Sequence, residues 1–393
     1  MDKTIRFFIG LDVHKDSIAI AAAPANSREE PRFIGTTRHS VFQVMKALSR
    51  SNCAPSELAI AYEAGPCGYG LARDLISRGY NCAVVAPSRV PRRPADRIKT
   101  DRRDALLLAR MHRSAELVAV TVPDPSDEAV RDLMRARDDA VKAQRCARQQ
   151  LMAMLLRLGK PYREGRGWTQ KFLRFLSDLR FDDQNHRIVF TEYRLAVQSA
   201  AERVQRLEAA IRQAFDTWRW RPVVKALMSL RGVDFLTAMT IVAEVGDLRR
   251  FEHPRQLMSY LGLVPSEFSS GNSHQRGSLT RTGNSRVRRV LIESAWNYRH
   301  PAKLSREIET RQEGQPAAVT EIAWKAQARL CHRFRKLRYR GMHQNKTCAA
   351  IARELVGFVW DIARRVRPAD PLTLPSNEHG FPTAGRPPAI EAR

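Results

Sequence analysis

With 393 residues the chain is long enough for two or three domains, and its 67 Lys and Arg residues outnumber its 41 Asp and Glu residues, which gives a net charge of +26. Because the basic residues recur in clusters along the whole chain, this charge favours a nucleic acid as partner, although ribosomal and membrane-surface proteins are also basic. Six scattered cysteines without a C-x-x-C pair argue against a zinc knuckle and a disulfide framework and fit a reducing cytoplasm. The lack of a long apolar run and of a signal peptide argues against a membrane span.

Short apolar segments alternate with helical patterns over residues 1–120. Apolar, β-prone runs predict strands at 5–11, 17–21, 32–37, 58–62 and 82–86. The remaining patterns predict helices at 40–50, 69–78 and 101–113. The order β-β-β-α-β-α-β-α predicts an α/β domain built around a mixed sheet.

Residues 121–220 form the second predicted domain, which is helical. Apolar side chains step by alternate threes and fours over 130–158 and again over 193–211. This spacing is typical of a coiled-coil hairpin used for spacing or self-association, and equally of an ordinary buried pair of helices. The Gly-, Arg- and aromatic-rich segment between them, 159–187, is predicted to be irregular.

Residues 221–367 form a third predicted domain, which is helical and basic, so that the predicted fold is α/β followed by all-α. Within it, Leu227–Ile241 has the pattern of a helix-hairpin-helix with its turn at Gly232 and Val233. Such hairpins offer backbone N–H groups to DNA phosphates without reading the sequence, although any short helical hairpin with a glycine has a similar pattern. The Pro-rich tail, 368–393, is predicted to be disordered.

Four carboxylates stand out by their placement at the ends of predicted elements. Asp12 ends the first apolar strand, where an acid is costly to bury without a partner, and Glu63 ends another. Asp101 and Asp104 are three residues apart at the start of a helix, so they share a face. Carboxylates that converge in this way favour Mg²⁺, and two ions about 3.5–4 Å apart can serve phosphoryl transfer.

Each of these acids also has a structural interpretation. Asp12 could be a turn residue, and Asp101 with Asp104 could cap a helix. The combined D…E…DxxD order favours a catalytic metal site. Basic residues surround the last acidic pair and would screen a phosphate-bearing substrate: Arg92, Arg93, Arg97, Lys99, Arg102 and Arg103.

Three segments carry a resemblance to a known family. Gly10–Lys15, Tyr62–Gly65 and Lys99–Ala105 resemble the DEDD blocks of the insertion sequence one-ten (IS110) family of bacterial transposases. The N-terminal domain of that family resembles the Holliday-junction resolvase RuvC. The resemblance therefore implies a ribonuclease-H-like fold in which Asp12, Glu63, Asp101 and Asp104 hold the catalytic metal ions.

A second part of the resemblance covers Tyr260–Gly271 and the basic segment Gly277–Arg289. By composition alone, Ser269 and Ser270 are turn residues. The segment resembles the C-terminal domain of the same family, whose Ser-Gly motif supplies a nucleophilic serine, which is Ser270 here, with Ser269 and Ser266 as the other candidates. No histidine is an evident base, so the metal ions would assist a composite site formed when protomers assemble as a dimer or tetramer.

With this resemblance, the sequence predicts a transposase that cuts and rejoins donor and target DNA through a phosphoserine intermediate, in the cytoplasm of a bacterium and associated with its nucleoid. The resemblance further implies a guide RNA encoded by the element. The alternatives are a hydrolytic, resolvase-like nuclease in which Ser270 is structural, and a non-catalytic nucleic-acid scaffold. A basic and aromatic segment, 329–340, could contact nucleic acid or be a solvated helix face. The predicted nucleic-acid contacts are Arg102, Arg103, Arg281, Arg286, Arg288, Arg289, Arg335 and Lys336.

Overall fold

A computed structural model describes residues 4–87, 90, 100–270 and 273–369. The chain divides into two compact units, Met1–Pro123 and Asp124–Arg393. No helix in the described ranges is long and apolar enough to cross a membrane. The predicted disordered tail lies, from residue 370 onward, outside the described residues.

The first unit is a six-stranded mixed sheet with helices on both faces. Its elements are β1 (Phe7–Val13), β2 (Ser17–Pro24), β3 (Arg32–Arg38), α1 (Val41–Leu48), β4 (Leu58–Glu63), α2 (Gly70–Ser77), β5 (Asn81–Val85), α3 (Asp101–Arg113) and β6 (Ala119–Val120). The strand order is β3-β2-β1-β4-β5-β6, in which β1, β4 and β5 are parallel and the other pairings antiparallel. The predicted α/β domain with a mixed sheet is confirmed; the two-residue strand β6 was not predicted.

The two faces of this sheet differ in the size of their side chains. In β2, Ile18 and Ile20 point into the large apolar core that also contains residues of α1 and α2. Ala19 and Ala21 alternate with them and pack with Ala105 of α3 on the opposite face. Because successive strand residues point to opposite faces, the alternation of Ile and Ala in the sequence leaves room for a close helix on one side only.

Helix α3 lies directly on the backbone of β1. A β-carbon added to Gly10 would overlap the carbonyl oxygen of Ala105 and the amide nitrogen of Ala109. Phe8, one step back along the strand face, packs edge-to-face on His112 with ring centroids 5.2 Å apart. The helix therefore runs opposite to the strand, which brings its first turn to the carboxyl end of β1.

The second unit begins with two long helices that pack along each other. Its first elements are α4 (Pro125–Arg157), α5 (Gln170–Asp178) and α6 (Gln184–Thr217). Helices α4 and α6 are antiparallel. Arg137 in the first half of α4 donates a hydrogen bond to Glu208 near the end of α6, and Leu151 near the end of α4 shares a core with Phe190 near the start of α6. The prediction of an irregular segment at 159–187 was wrong, since α5 and the first turn of α6 lie within it.

The rest of the second unit is mainly helical. Its elements are α7 (Arg221–Leu227), α8 (Phe235–Val245), α9 (Pro254–Tyr260), β7 (Pro265–Ser270), β8 (Ser273–Leu279), α10 (Ser285–Ala295), α11 (Arg306–Gln312), α12 (Ala317–Tyr339) and α13 (Gln344–Arg365). The hairpin β7–β8 was not predicted; it occupies the Ser- and Gly-rich segment between two helices. Gly232, with φ of 78°, forms a turn between α7 and α8, and an added β-carbon there would contact Ser294 and Asn297.

Two buried carboxylates join distant parts of this unit. Asp127, near the start of α4, accepts hydrogen bonds from the indole N–H groups of Trp218 and Trp220 and from the guanidinium of Arg219. Glu244 on α8 accepts bonds of 2.8 Å from Arg135 on α4. A buried carboxylate without such partners would be costly, so each fixes the position of the elements that carry its donors.

Replacing Gly10 by Ala should force α3 away from β1. Overpacking of this kind costs about 1–3 kcal/mol, so we expect the free energy of unfolding to fall by that amount in urea denaturation. Gly70→Ala is the matched control, because no atom lies within 4 Å of an added β-carbon and the residue begins a helix. Equal stability of Gly10→Ala and the wild type would contradict the close packing described here.

Candidate active site

Two of the acids predicted from the sequence lie at the carboxyl ends of the central strands β1 and β4 in the first unit. This end of the sheet is called its acidic edge below. Asp12 is two residues after Gly10 and therefore faces α3. The parallel pairing of Leu11 with Tyr62 places Glu63 beside Asp12 on the neighbouring strand. Because Ala61 packs on the α3 side of the sheet, Glu63 lies on that side as well.

Helix α3 adds its acids to the same edge from its first turn. Thr100 caps this helix by accepting a 3.3 Å hydrogen bond from the amide of Arg103. The capping interpretation of Asp101 and Asp104 was therefore wrong, since the cap precedes them. Asp101 is exposed and Asp104 is half-buried.

A histidine joins the acidic group. The Nε2 atom of His14 lies 3.2 Å from an Asp12 carboxylate oxygen and 3.6 Å from one of Asp101. Ligand atoms of these three residues lie within 4.8 Å of one another, a group that does not include Asp104 or Glu63. His14 was not among the site residues predicted from the sequence; it directly follows β1, where the chain turns toward β2, and its ring reaches the two acids from there.

The electrostatics of this edge disfavour an ionised Asp12. Its side chain is 18% exposed. Burial is the main cause that raises its pKa above the ordinary value; His14 opposes this effect, and the carboxylates of Asp104 and Asp101 add to it. A divalent cation would relieve this repulsion, since Mg²⁺ and similar hard ions bind carboxylate oxygens. The donor set therefore fits a metal ion.

The predicted basic residues around α3 are only partly described. Arg102 and Arg103 are exposed, and the Arg102 guanidinium lies 5.3 Å from the ring centroid of Phe33. The other four predicted residues, Arg92, Arg93, Arg97 and Lys99, lie outside the described residues.

In the second unit, the hairpin β7–β8 presents Ser270 at the end of its first strand. Ser270 is exposed and pairs in register with Ser273. The other two candidate hydroxyls have partners: Ser269 donates to the Glu267 carboxylate at 3.0 Å, and Ser266 donates to the Ser278 carbonyl at 3.2 Å. Gly271 of the Ser-Gly motif lies outside the described residues.

Several predicted nucleic-acid contacts near this hairpin take part in internal contacts. Arg286 and Arg289 on α10 form ion pairs of 3.4 and 2.6 Å with Asp138 on α4. Arg288 donates to two backbone carbonyl oxygens, and burial lowers its pKa. Arg281 is exposed, which leaves it accessible to a phosphate.

The basic and aromatic segment at 329–340 is the end of α12. Phe334 is 5% exposed and packs in the core, so its ring is not available to stack on bases. Tyr339, in contrast, is 95% exposed. Arg335 and Lys336 are also exposed.

Replacing Asp12 by Asn should stabilise the metal-free protein at neutral pH. The raised pKa of Asp12 means that its ionised form opposes folding above the pKa of the unfolded chain, and Asn removes that charge. We expect a gain of about 0.5–2 kcal/mol, the size common for stabilising substitutions, together with loss of the additional stabilisation by Mg²⁺.

Thermal melting with and without Mg²⁺ measures both effects. Asp16→Asn, which removes an exposed acid four residues away, is the control and should keep the response to Mg²⁺. A normal Mg²⁺ response in Asp12→Asn would show that Asp12 does not bind the ion.

Two family models of transposases match this chain. A DEDD-domain model, described as a transposase, matches residues 9–159, and a model of the transposase IS116/IS110/IS902 family matches residues 224–308. The first range includes the four acids, and the second includes Ser270.

Two relatives cover most of the chain. Transposase y4qE of Sinorhizobium fredii is 45% identical over 92% of this chain and 89% of its own length. The transposase for insertion sequence element IS1533 of Leptospira borgpetersenii is 34% identical over 84% of this chain and 96% of its own. The chain therefore belongs to the IS110 family of insertion-sequence transposases and is an enzyme that acts on DNA.

Proposed function

We propose that the chain cuts and rejoins DNA by phosphoryl transfer, with Mg²⁺ bound by Asp12, Glu63, Asp101 and Asp104 and with Ser270 as the nucleophile. The observation that carries the metal site is the convergence of acids from two neighbouring strands and one helix on a single edge. Membership of a transposase family argues against the alternative of a non-catalytic scaffold.

The acidic edge suits a pair of magnesium ions. When bound, such ions stabilise negative charge on the attacking and leaving oxygens of a phosphodiester. Asp12 and Glu63 would hold the ions from the rigid sheet, and Asp101 and Asp104 from the first turn of α3. The position of His14 between Asp12 and Asp101 supports a role in orienting both carboxylates.

Ser270 would attack a DNA phosphodiester in the first step. A bond forms from its Oγ to phosphorus, the bond to the sugar oxygen breaks, and that oxygen takes up a proton as the serine loses one. In the second step a sugar hydroxyl attacks the phosphoserine and regenerates the serine. Because one phosphoester replaces another at each step, strands can be rejoined without an external energy source.

The partners follow from family resemblance and charge. Donor and target DNA are the substrates, and the resemblance implies a guide RNA that pairs with them; the net charge of +26 supports binding of both. Exposed apolar side chains on the long helices, such as Leu156, Ile188 and Leu195, support the predicted homo-oligomer, a dimer or tetramer.

Ser270→Ala should bind DNA and fold normally but form no covalent adduct, because an exposed strand-end hydroxyl contributes little to packing. The measurement is labelled DNA retained on denatured protein, together with recombinant product. Ser269→Ala and Ser266→Ala are the matched controls and should keep both activities.

Two other outcomes are informative for Ser270. Magnesium-dependent nicking by Ser270→Ala at the wild-type rate would support the hydrolytic alternative, in which water is the nucleophile. Loss of the adduct in Ser269→Ala but not in Ser270→Ala would reassign the nucleophile.

Recombination of paired donor and target DNA should require the RNA encoded by the element's flanks. We expect recombinant product with that RNA and only background with a scrambled RNA of equal length, because both have the same charge and differ only in pairing. Equal product with both RNAs would contradict a guide role.

A further inference from the structure

Phe268 is a large apolar side chain that the hairpin β7–β8 leaves in solvent. It is 76% exposed and lies two residues before Ser270. Its partner across the hairpin is Gln275, which is also exposed. Single exposed apolar side chains are common, so the exposure alone does not indicate a function. The position of Phe268 beside Ser270, in contrast, points to a function.

Phe268 and Ser270 lie on the same face of the hairpin. Their segment pairs in regular register, Phe268 with Gln275 and Ser270 with Ser273, and successive strand residues alternate between faces. Two residues along a strand span about 6.6 Å. A polymer whose backbone reaches the Ser270 hydroxyl would therefore pass beside the Phe268 ring.

The foot of the hairpin is held firmly on the core. Gly262 and Gly283 both have positive φ, and a β-carbon on either would overlap the backbone of the other segment, Thr282 or Tyr260 respectively. Arg288 donates hydrogen bonds of 2.8 and 2.9 Å to carbonyl oxygens on both sides of this crossing. The hairpin is thus a fixed support for the two exposed side chains.

We propose that Phe268 is a stacking platform for a base of the DNA strand next to the phosphodiester that Ser270 attacks. This inference rests on the proposed role of Ser270. Stacking on an aromatic ring requires only the flat face of a base, so a phenyl group without hydrogen-bonding atoms can hold a strand of any sequence. Phe268 would position the strand and would not read it.

The test uses the full chain and a single-stranded DNA of the element's end with the fluorescent base 2-aminopurine beside the cleaved bond, so that the base is not already stacked within a duplex. Fluorescence reports whether that base is stacked, and titration gives the affinity. Phe268→Ala should leave the base unstacked on binding and weaken the affinity roughly 5- to 150-fold, the range of alanine substitutions at stacking sites.

Two further variants separate stacking from packing. Phe268→Trp should keep the wild-type signal, and Phe268→Leu should behave like Phe268→Ala, because leucine is apolar but has no aromatic face. Phe42→Ala is the matched control, since Phe42 is another exposed phenylalanine, 65% exposed on α1. All four variants should melt at the wild-type temperature.

The inference fails if Phe268→Ala or Phe268→Leu gives the wild-type signal and affinity, or if the response appears only with 2-aminopurine in the RNA. Loss of the covalent adduct in Ser270→Ala together with unchanged Phe268 variants would leave the serine mechanism standing and overturn the stacking role alone. A retained adduct in Ser270→Ala with a lost signal in Phe268→Ala would support the platform and refute the nucleophile.

Discussion

The contact between α3 and β1 at Gly10 is the constraint on which the first unit depends. No side chain fits between the helix and the strand at this point, and the small residues Ala19 and Ala21 extend the same close approach across β2. The direction of α3 across the sheet then brings its first turn to the strand end that carries Asp12. The carboxylates meet there because the backbones of α3 and β1 are in direct contact, and a backbone adjusts less easily than a side chain.

This arrangement concentrates negative charge that folding alone does not favour. Asp12 is mostly buried, and Asp104 and Asp101 oppose its ionisation together with burial itself. The large apolar core on the opposite face of the sheet offsets this cost. A buried carboxyl whose pKa is raised by burial and by neighbouring acids is typical of functional sites.

In the second unit, a buried carboxylate is stabilised in its charged form. Burial alone would raise the pKa of Glu244, but hydrogen bonds from Arg135 and Asn284 outweigh it and lower that pKa. Asn284 also caps α10, the helix that follows the β7–β8 hairpin. Many basic side chains form ion pairs with acids of the same unit, as Arg286 does with Asp138. Fewer basic side chains are therefore accessible to DNA than the composition alone indicates.

The sequence by itself determined the strands and helices of the first unit except β6, including the bounds of α3 at 101–113, and the positions of the four acids at element ends. These features follow from local periodicity and from motifs of a few residues. Tertiary structure decided the rest: His14 joins Asp12 and Asp101, Phe334 is buried while Phe268 is exposed, and residues 265–279 form a hairpin. Each of these depends on which distant segment packs against the residue, and a local pattern of side-chain types does not contain that information.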